Sequence, residues 1–274
     1  MQKTNCLCVI IPVHKPDITM EEEISLNACK RQLIDYDCYL VFPDGMNIKT
    51  YVSIFDNLLL KPVDSKWLSS LELYNKMKLS LAFYEMFRDY KFMLTYELDA
   101  YIFNANFNET KVFSFDFIGA PLFRGYLTAP PDAPFIPGCN SGFSIRNIES
   151  CTNVLRSLGR YRSHWRIYRC FLSKFPWFRL QLDRLTKGHY DIFLNGKLGF
   201  YFASDHINED QVWSQIIPKL FSSFTVADSL SSLRFSFEHN PERLLDSNAG
   251  QLPLGCHGWP KYLNFWKKYI VENN

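Results

Sequence analysis

The chain has 274 residues, 47% hydrophobic and 16% aromatic, enough to bury one substantial core and too apolar for a disordered protein. No apolar run has the length of a membrane span, and with only Lys3 ahead of the first strand-like run no secretory signal is expected. The net charge of +2 conceals an uneven distribution, because residues 156–187 carry nine Lys or Arg against the single acid Asp183.

The N-terminal half alternates strand and helix patterns. Cys6–Val13 is a continuous apolar run suited to a strand covered on both faces. Glu21–Leu33 reads as a helix with acids in its first turn, and Tyr39–Phe42 as a second strand closed by the turn Pro43-Asp44-Gly45. Apolar residues at Leu71, Tyr74, Leu79, Phe83 and Phe87 predict one long amphipathic helix over Trp67–Tyr90. Phe92–Thr95 supplies the next strand. This order predicts an α/β fold with a mostly parallel, twisted sheet flanked by helices.

The C-terminal part is more elaborated. Phe115–Ala120 and Gly142–Arg146 read as strands, with a helix beginning near Asn147. Residues 127–138 contain Pro130, Pro131, Pro134 and Pro137, so they form a loop and cannot pair as a central strand. Arg156–Lys187 is expected to be wholly or partly helical, and Phe200–Phe202 a short strand. Further elements are a helix over Asp210–Leu220 entered through Asn208 and Glu209, a short strand at Ser236–Glu238 and a terminal helix over Leu263–Val271. No repeat or linker divides the chain. A single domain over 1–274 is expected, with 1–103 a nucleotide-binding half and 104–274 an acceptor-binding half.

Eight cysteines include no Cys-x-x-Cys pair, and Cys6, Cys8, Cys29, Cys38, Cys151 and Cys170 lie in apolar strand or helix contexts. Buried free thiols in a reducing cytosol account for them better than disulfides or zinc. The first chemical signal follows Phe92–Thr95. Glu97 and Asp99, two positions apart, point to one face of an extended strand and present two carboxylates at its carboxyl end. Open α/β sheets bind ligands there, and paired acids can seat a divalent cation; acids at a strand end also serve as turn formers or helix caps.

Five segments together carry a resemblance. They are Tyr96-Glu97-Leu98-Asp99-Ala100, Phe117-Ile118-Gly119-Ala120-Pro121, Asn140-Ser141-Gly142-Phe143-Ser144-Ile145-Arg146, Asn208-Glu209-Asp210 and Gly255-Cys256-His257-Gly258-Trp259. In this order they resemble bacterial glycosyltransferases of the GT-A type and, more narrowly, the DUF5672 family associated with polysaccharide biosynthesis. Glu97 stands where that family often has Gln, so Asp99 is the firmer metal ligand.

The resemblance implies transfer of a hexose or N-acetylhexosamine from a UDP-sugar to a bacterial surface glycan, with Mn²⁺ or Mg²⁺ held by Asp99, Glu97 and His257. An imidazole beside carboxylates favours Mn²⁺ somewhat. Pro12, His14 and Lys15, after the first strand, are candidates to line the nucleotide, and Asp44 to accept from the uracil N3–H. Tyr74 and Lys78 are candidates for the same site or for packing. Asn140 and Gly142 would lie beneath the sugar, Gly142 letting the backbone approach. Asp210 is the candidate base for an inverting displacement and Glu209 the alternate. Trp259 is either a sugar-stacking face or a packed residue. A nucleotide-sugar hydrolase and a non-catalytic sugar- or nucleotide-binding module are the competing readings.

The basic, aromatic segment 156–187 fits peripheral attachment to an anionic membrane surface, which would place a cytoplasmic enzyme beside a lipid-linked acceptor. No nucleic-acid module accompanies it, although a solvated helical face is a further reading.

Overall fold

A computed structural model describes residues 6–158 and 208–270. Its centre is a six-stranded sheet in the spatial order Leu59–Val63, Asp37–Pro43, Leu7–Pro12, Phe92–Tyr96, Phe143–Asn147 and Phe117–Ile118. Strand β1 (Leu7–Pro12) pairs in parallel with β2 (Asp37–Pro43) on one side and β4 (Phe92–Tyr96) on the other, and β2 pairs in parallel with β3 (Leu59–Val63). Beyond β4 the direction reverses. β9 (Phe143–Asn147) runs antiparallel to β4 and to β6 (Phe117–Ile118). The fold is therefore α/β with a mainly parallel sheet, as expected.

The unbroken apolar run of β1 follows from its two neighbours above and below. Leu7, Val9 and Ile11 pack into one buried cluster with Leu26 and Cys29 of helix α1 (Met20–Leu33). Cys8 and Ile10 enter a second cluster with Met77, Phe83 and Phe87. Thr19 starts α1 with a capping box, its hydroxyl accepting from Glu22 N while Glu22 accepts from Thr19 N.

Three expectations change. The long helix over Trp67–Tyr90 is broken: helix α2 (Lys49–Ile54) precedes β3, a 3₁₀ turn spans Ser65–Leu68, and two short helices follow, α3 (Leu71–Lys78) and α4 (Leu81–Glu85). Ser70 and Ser80 each accept a hydrogen bond from the backbone three residues on, at Leu73 N and Phe83 N, and so start a new helix at each point. Strand β3 escapes the apolar pattern because it is an edge: Leu60 is 50% exposed, and Pro62 has no ladder hydrogen to give. The proline loop is also shorter than expected, since β8 (Phe135–Cys139) pairs antiparallel with β7 (Pro121–Phe123) in a two-stranded ladder apart from the central sheet.

Two further pieces position side chains. A small sheet joins β5 (Tyr101–Ile102), β10 (Ser236–Phe237) and β11 (Gly255–Cys256), with β11 parallel to β10 and antiparallel to β5. A helical run begins at Glu209, passes through a π-helical stretch over Val212–Ile216 and ends at Leu220. Pro218, which cannot donate to Ser214 O, follows the π stretch. Fully buried Trp213, edge-on to Tyr84 and stacked on Phe224, anchors this run.

All described cysteines are free thiols. Among the described residues no helix is long and apolar enough to cross a membrane. Segment 156–187 is described only as far as residue 158, where Arg156 pairs with Glu85; the rest of it, and Phe200–Phe202, lie outside the described residues.

Candidate active site

β4 ends at Tyr96, so Glu97 and Asp99 stand not on the strand but on the turn after it, closed by Ala100 N donating to Glu97 O. Buried Leu98 anchors the turn between them. The small sheet then brings in a residue from far along the chain. His257 follows β11, its backbone N donating to Phe237 O, and Trp259 N donates to Asp99 O. The imidazole Nε2 consequently lies 3.0 Å from Asp99 Oδ1 and 3.5 Å from Glu97 Oε2. One ligand atom from each of Glu97, Asp99 and His257 falls within 4.8 Å of the others.

The ring is held on three sides. Glu238, just past β10, places Oε1 3.1 Å from His257 Nδ1. Gly142 forms another wall, where a Cβ would come within 2.0 Å of Nε2. Gly142 is thus small to admit the imidazole, whereas the sequence reading gave its space to a sugar. Its carbonyl also accepts from Glu97 N. Among the described residues neither imidazole nitrogen has an aligned hydrogen bond. Burial opposes protonation of His257, but Glu238, Asp99 and Glu97 outweigh it and push the ring well above the ordinary imidazole value. So much carboxylate charge calls for a proton or a metal ion at Nε2, and two carboxylates with one imidazole form a donor set that fits a divalent cation.

Glu97 divides its oxygens between two tasks. Oε1 accepts from the Tyr74 hydroxyl at 2.8 Å and from Lys78 Nζ at 3.2 Å, leaving Oε2 on the His257 side. Burial opposes its ionisation, yet Lys78, His257 and Tyr74 hold the carboxyl well below the usual range. Lys78 is itself buried beneath the site, 2.6 Å from Glu209 Oε1, 3.2 Å from Ser141 Oγ and over the Tyr74 ring. Its ammonium is therefore enclosed by protein groups and does not line the cleft.

A cleft of about 510 Å³ opens beside the acids. Pro12, His14, Lys15, Tyr74, Glu97 and Asp99 line it, together with Glu22, Tyr51 and residues 68–71, which sequence reasoning missed. Lys15 is braced at the rim by Glu22 at 3.0 Å, and the Tyr51 hydroxyl donates to Lys15 O. Asp44 does not join this group. It sits exposed in the turn Pro43–Met46, where Gly45 takes a φ of +79°.

Asn140 Oδ1 accepts from Gly142 N, and its Nδ2 reaches Asp210 Oδ2 at 3.5 Å. Asp210 is raised to about 7, by burial first and by the neighbouring negative charge of Glu209. Glu209 faces inward. Both its oxygens are taken, Oε1 by Lys78 and Arg146 Nη2 (2.9 Å) and Oε2 by the same Nη2 (3.2 Å). As the alternate base it lacks a free oxygen, so we place it in the buried ion cluster instead. Trp259 is also buried, edge-on to Tyr101, and offers no sugar face.

No curated protein matches the chain. Among solved structures, mouse xyloside xylosyltransferase 1 in its apo form is similar at 11% identity over 92% of this chain and 97% of that one, with a TM-score of 0.50. The galactosyltransferase LgtC, solved with donor and acceptor sugar analogs, is similar at 10% identity over 91% of this chain and 86% of that one, also at 0.50. At such identities the likeness concerns the fold, which is that of GT-A glycosyltransferases. The profile of the family described as "Protein of unknown function (DUF5672)" matches residues 57–257, and the chain belongs to that family.

Proposed function

We propose that the protein is a glycosyltransferase that uses a nucleotide-activated sugar and a divalent cation held by Asp99, His257 and Glu97 Oε2. One observation carries this reading: Glu97 and Asp99 belong at once to the three-residue donor set and to the wall of the cleft. A diphosphate lying in that cleft would meet the cation at its end. Bound there, Mn²⁺ or Mg²⁺ would supply Lewis-acid neutralisation of the charge that grows on the departing diphosphate.

The chain's own residues do the rest. Pro12, His14 and Lys15 line the nucleotide, within a half of the chain (1–103) that we assign to the donor. Tyr74 and Lys78 hold Glu97 Oε1 and so fix which oxygen turns to the cation. Asp210, steadied by Asn140, takes the proton of the acceptor hydroxyl. The freed oxygen bonds to the anomeric carbon as the bond from that carbon to the diphosphate oxygen breaks. The nucleoside diphosphate leaves with the electron pair, and the configuration inverts. For the donor we propose a UDP-hexose or UDP-N-acetylhexosamine, and for the acceptor a bacterial surface glycan met by residues 104–274, following the family resemblance in the motifs. Attachment of a cytoplasmic enzyme to an anionic membrane through 156–187 belongs to the same proposal.

Thermal melts with UDP, GDP, CMP and ADP, each with and without Mn²⁺, test the reading. A ligand that binds only the folded state raises its melting temperature. The expected result is a gain confined to UDP and dependent on Mn²⁺; indifference to all four nucleotides would contradict it.

A further inference from the structure

Glu238 has no part in the reading above, and its surroundings are unusual for a carboxylate. It is 2% exposed, and among the described residues its Oε2 has no hydrogen-bond partner. Its Oε1 lies 3.1 Å from His257 Nδ1 and 3.5 Å from His239 Nε2. A buried carboxylate without a full set of donors is costly unless it serves a neighbour. The neighbour it meets most closely is the ring that faces Asp99 and Glu97.

The meeting is built into the backbone. β10 and β11 pair in parallel register, Ser236 with Gly255 and Phe237 with Cys256, so that the next residues, Glu238 and His257, emerge side by side. The bond from His257 N to Phe237 O, 2.8 Å, locks that register. Gly142 closes another wall of the ring. The imidazole therefore has little freedom to turn, and its two nitrogens are assigned opposite surroundings: Nδ1 towards Glu238, Nε2 towards the acids of the cleft.

We propose that Glu238 is a positioning residue for cation binding. Its Oε1, 3.1 Å from Nδ1, draws the ring proton to that nitrogen by its charge, which favours the tautomer that leaves the Nε2 lone pair free, and its buried negative charge raises the donor strength of the ring. Such carboxylate–histidine pairs behind a metal ligand set affinity by one to two orders of magnitude. The inference rests on the cation site proposed above, and adds that affinity is governed by a carboxylate that does not itself touch the ion. A purely structural Glu238–His257 pair would instead affect folding and leave the affinity of the folded protein alone.

The test is calorimetric titration of Mn²⁺ into the wild-type, Glu238→Gln, Glu238→Ala and Asp99→Asn proteins, with thermal melts and pulsed EPR detection of ¹⁴N coupling to the bound Mn²⁺. Wild-type protein should bind with a clear ¹⁴N signal, and Asp99→Asn should lose binding. Glu238→Ala should bind about 10–100-fold more weakly with a diminished nitrogen signal. Glu238→Gln should lose less, because a neutral acceptor replaces a charge-assisted one. If Glu238→Ala does not fold, the glutamine variant and its nitrogen signal decide. Wild-type affinity and signal in the Glu238 variants would overturn the positioning role while leaving the cation site standing. Absence of Mn²⁺ binding by the wild-type protein would overturn both.

Discussion

Two clusters of charged side chains lie against each other in this protein, and they are balanced in opposite ways. Beneath the site, Lys78, Arg146 and Glu209 form a closed set in which every charge has an opposite partner and all three are buried. At the cleft, Glu97, Asp99 and Glu238 gather around one imidazole, with Lys78 the only permanent cation in contact among the described residues. The first cluster finds its ionic partners within the folded protein, although Arg146 Nε and Nη1 have no hydrogen-bond partner among the described residues. The second carries surplus negative charge that opens onto a cavity. The difference teaches that charge alone does not mark a site; charge left over does.

That contrast can be broken from either side. The largest effect is expected in the closed cluster. Arg146→Met leaves Glu209 with Lys78 alone, and removing one partner of a buried pair costs about 3–5 kcal/mol, which urea unfolding would measure. Asp99→Asn belongs to the open cluster and should behave inversely. Its side chain is partly exposed, so stability should shift by no more than about 0.5 kcal/mol, while turnover of a nucleotide-sugar falls roughly 10²–10³-fold, about 3–4 kcal/mol in barrier. A variant that lost stability and kept turnover would reverse the assignment.

The two clusters meet at Lys78, and Asp210, next to Glu209 in the chain, has its pKa raised to about 7 by burial and by Glu209. A base must be ionised, and below pH 7 this carboxyl is protonated. Turnover should therefore rise about tenfold per pH unit up to 7 and level off above it. Asp210→Asn should abolish transfer while keeping cation-dependent nucleotide binding; retained turnover would reject the base. Smaller still is the expected effect of Gly142→Ala. The added methyl enters the space of the imidazole, so cation affinity should drop about tenfold at an overpacking cost of about 1–3 kcal/mol, both readable by titration and melting.

Much of the fold is legible in the residues, for identifiable reasons. β1 and β4 are buried on both faces and read as continuous apolar runs, and α1 carries its acids in the first turn. The break between α3 and α4 is written as Ser70 and Ser80, but the apolar spacing around them mimics one helix. In the site, Glu97 and Asp99 are two positions apart and visible at once; His257 is visible through its resemblance to a family motif. Glu238 carries no local signal, because it meets His257 through the register of two strands, each of two residues. Glu209 looks like a free acid at a helix start until Lys78 and Arg146 are folded beneath it. Pairings across the fold depend on register and helix breaks, and no spacing within one segment encodes them.

The central claim is that the acids of the cleft hold a cation against a nucleotide diphosphate. Titrating UDP into the wild-type and Asp99→Asn proteins, with and without Mn²⁺, tests it most directly. The account predicts that Mn²⁺ tightens UDP binding at least about tenfold, 1.4 kcal/mol or more, in the wild-type protein and leaves Asp99→Asn unchanged. Equal UDP affinity with and without Mn²⁺ in the wild-type protein would contradict it.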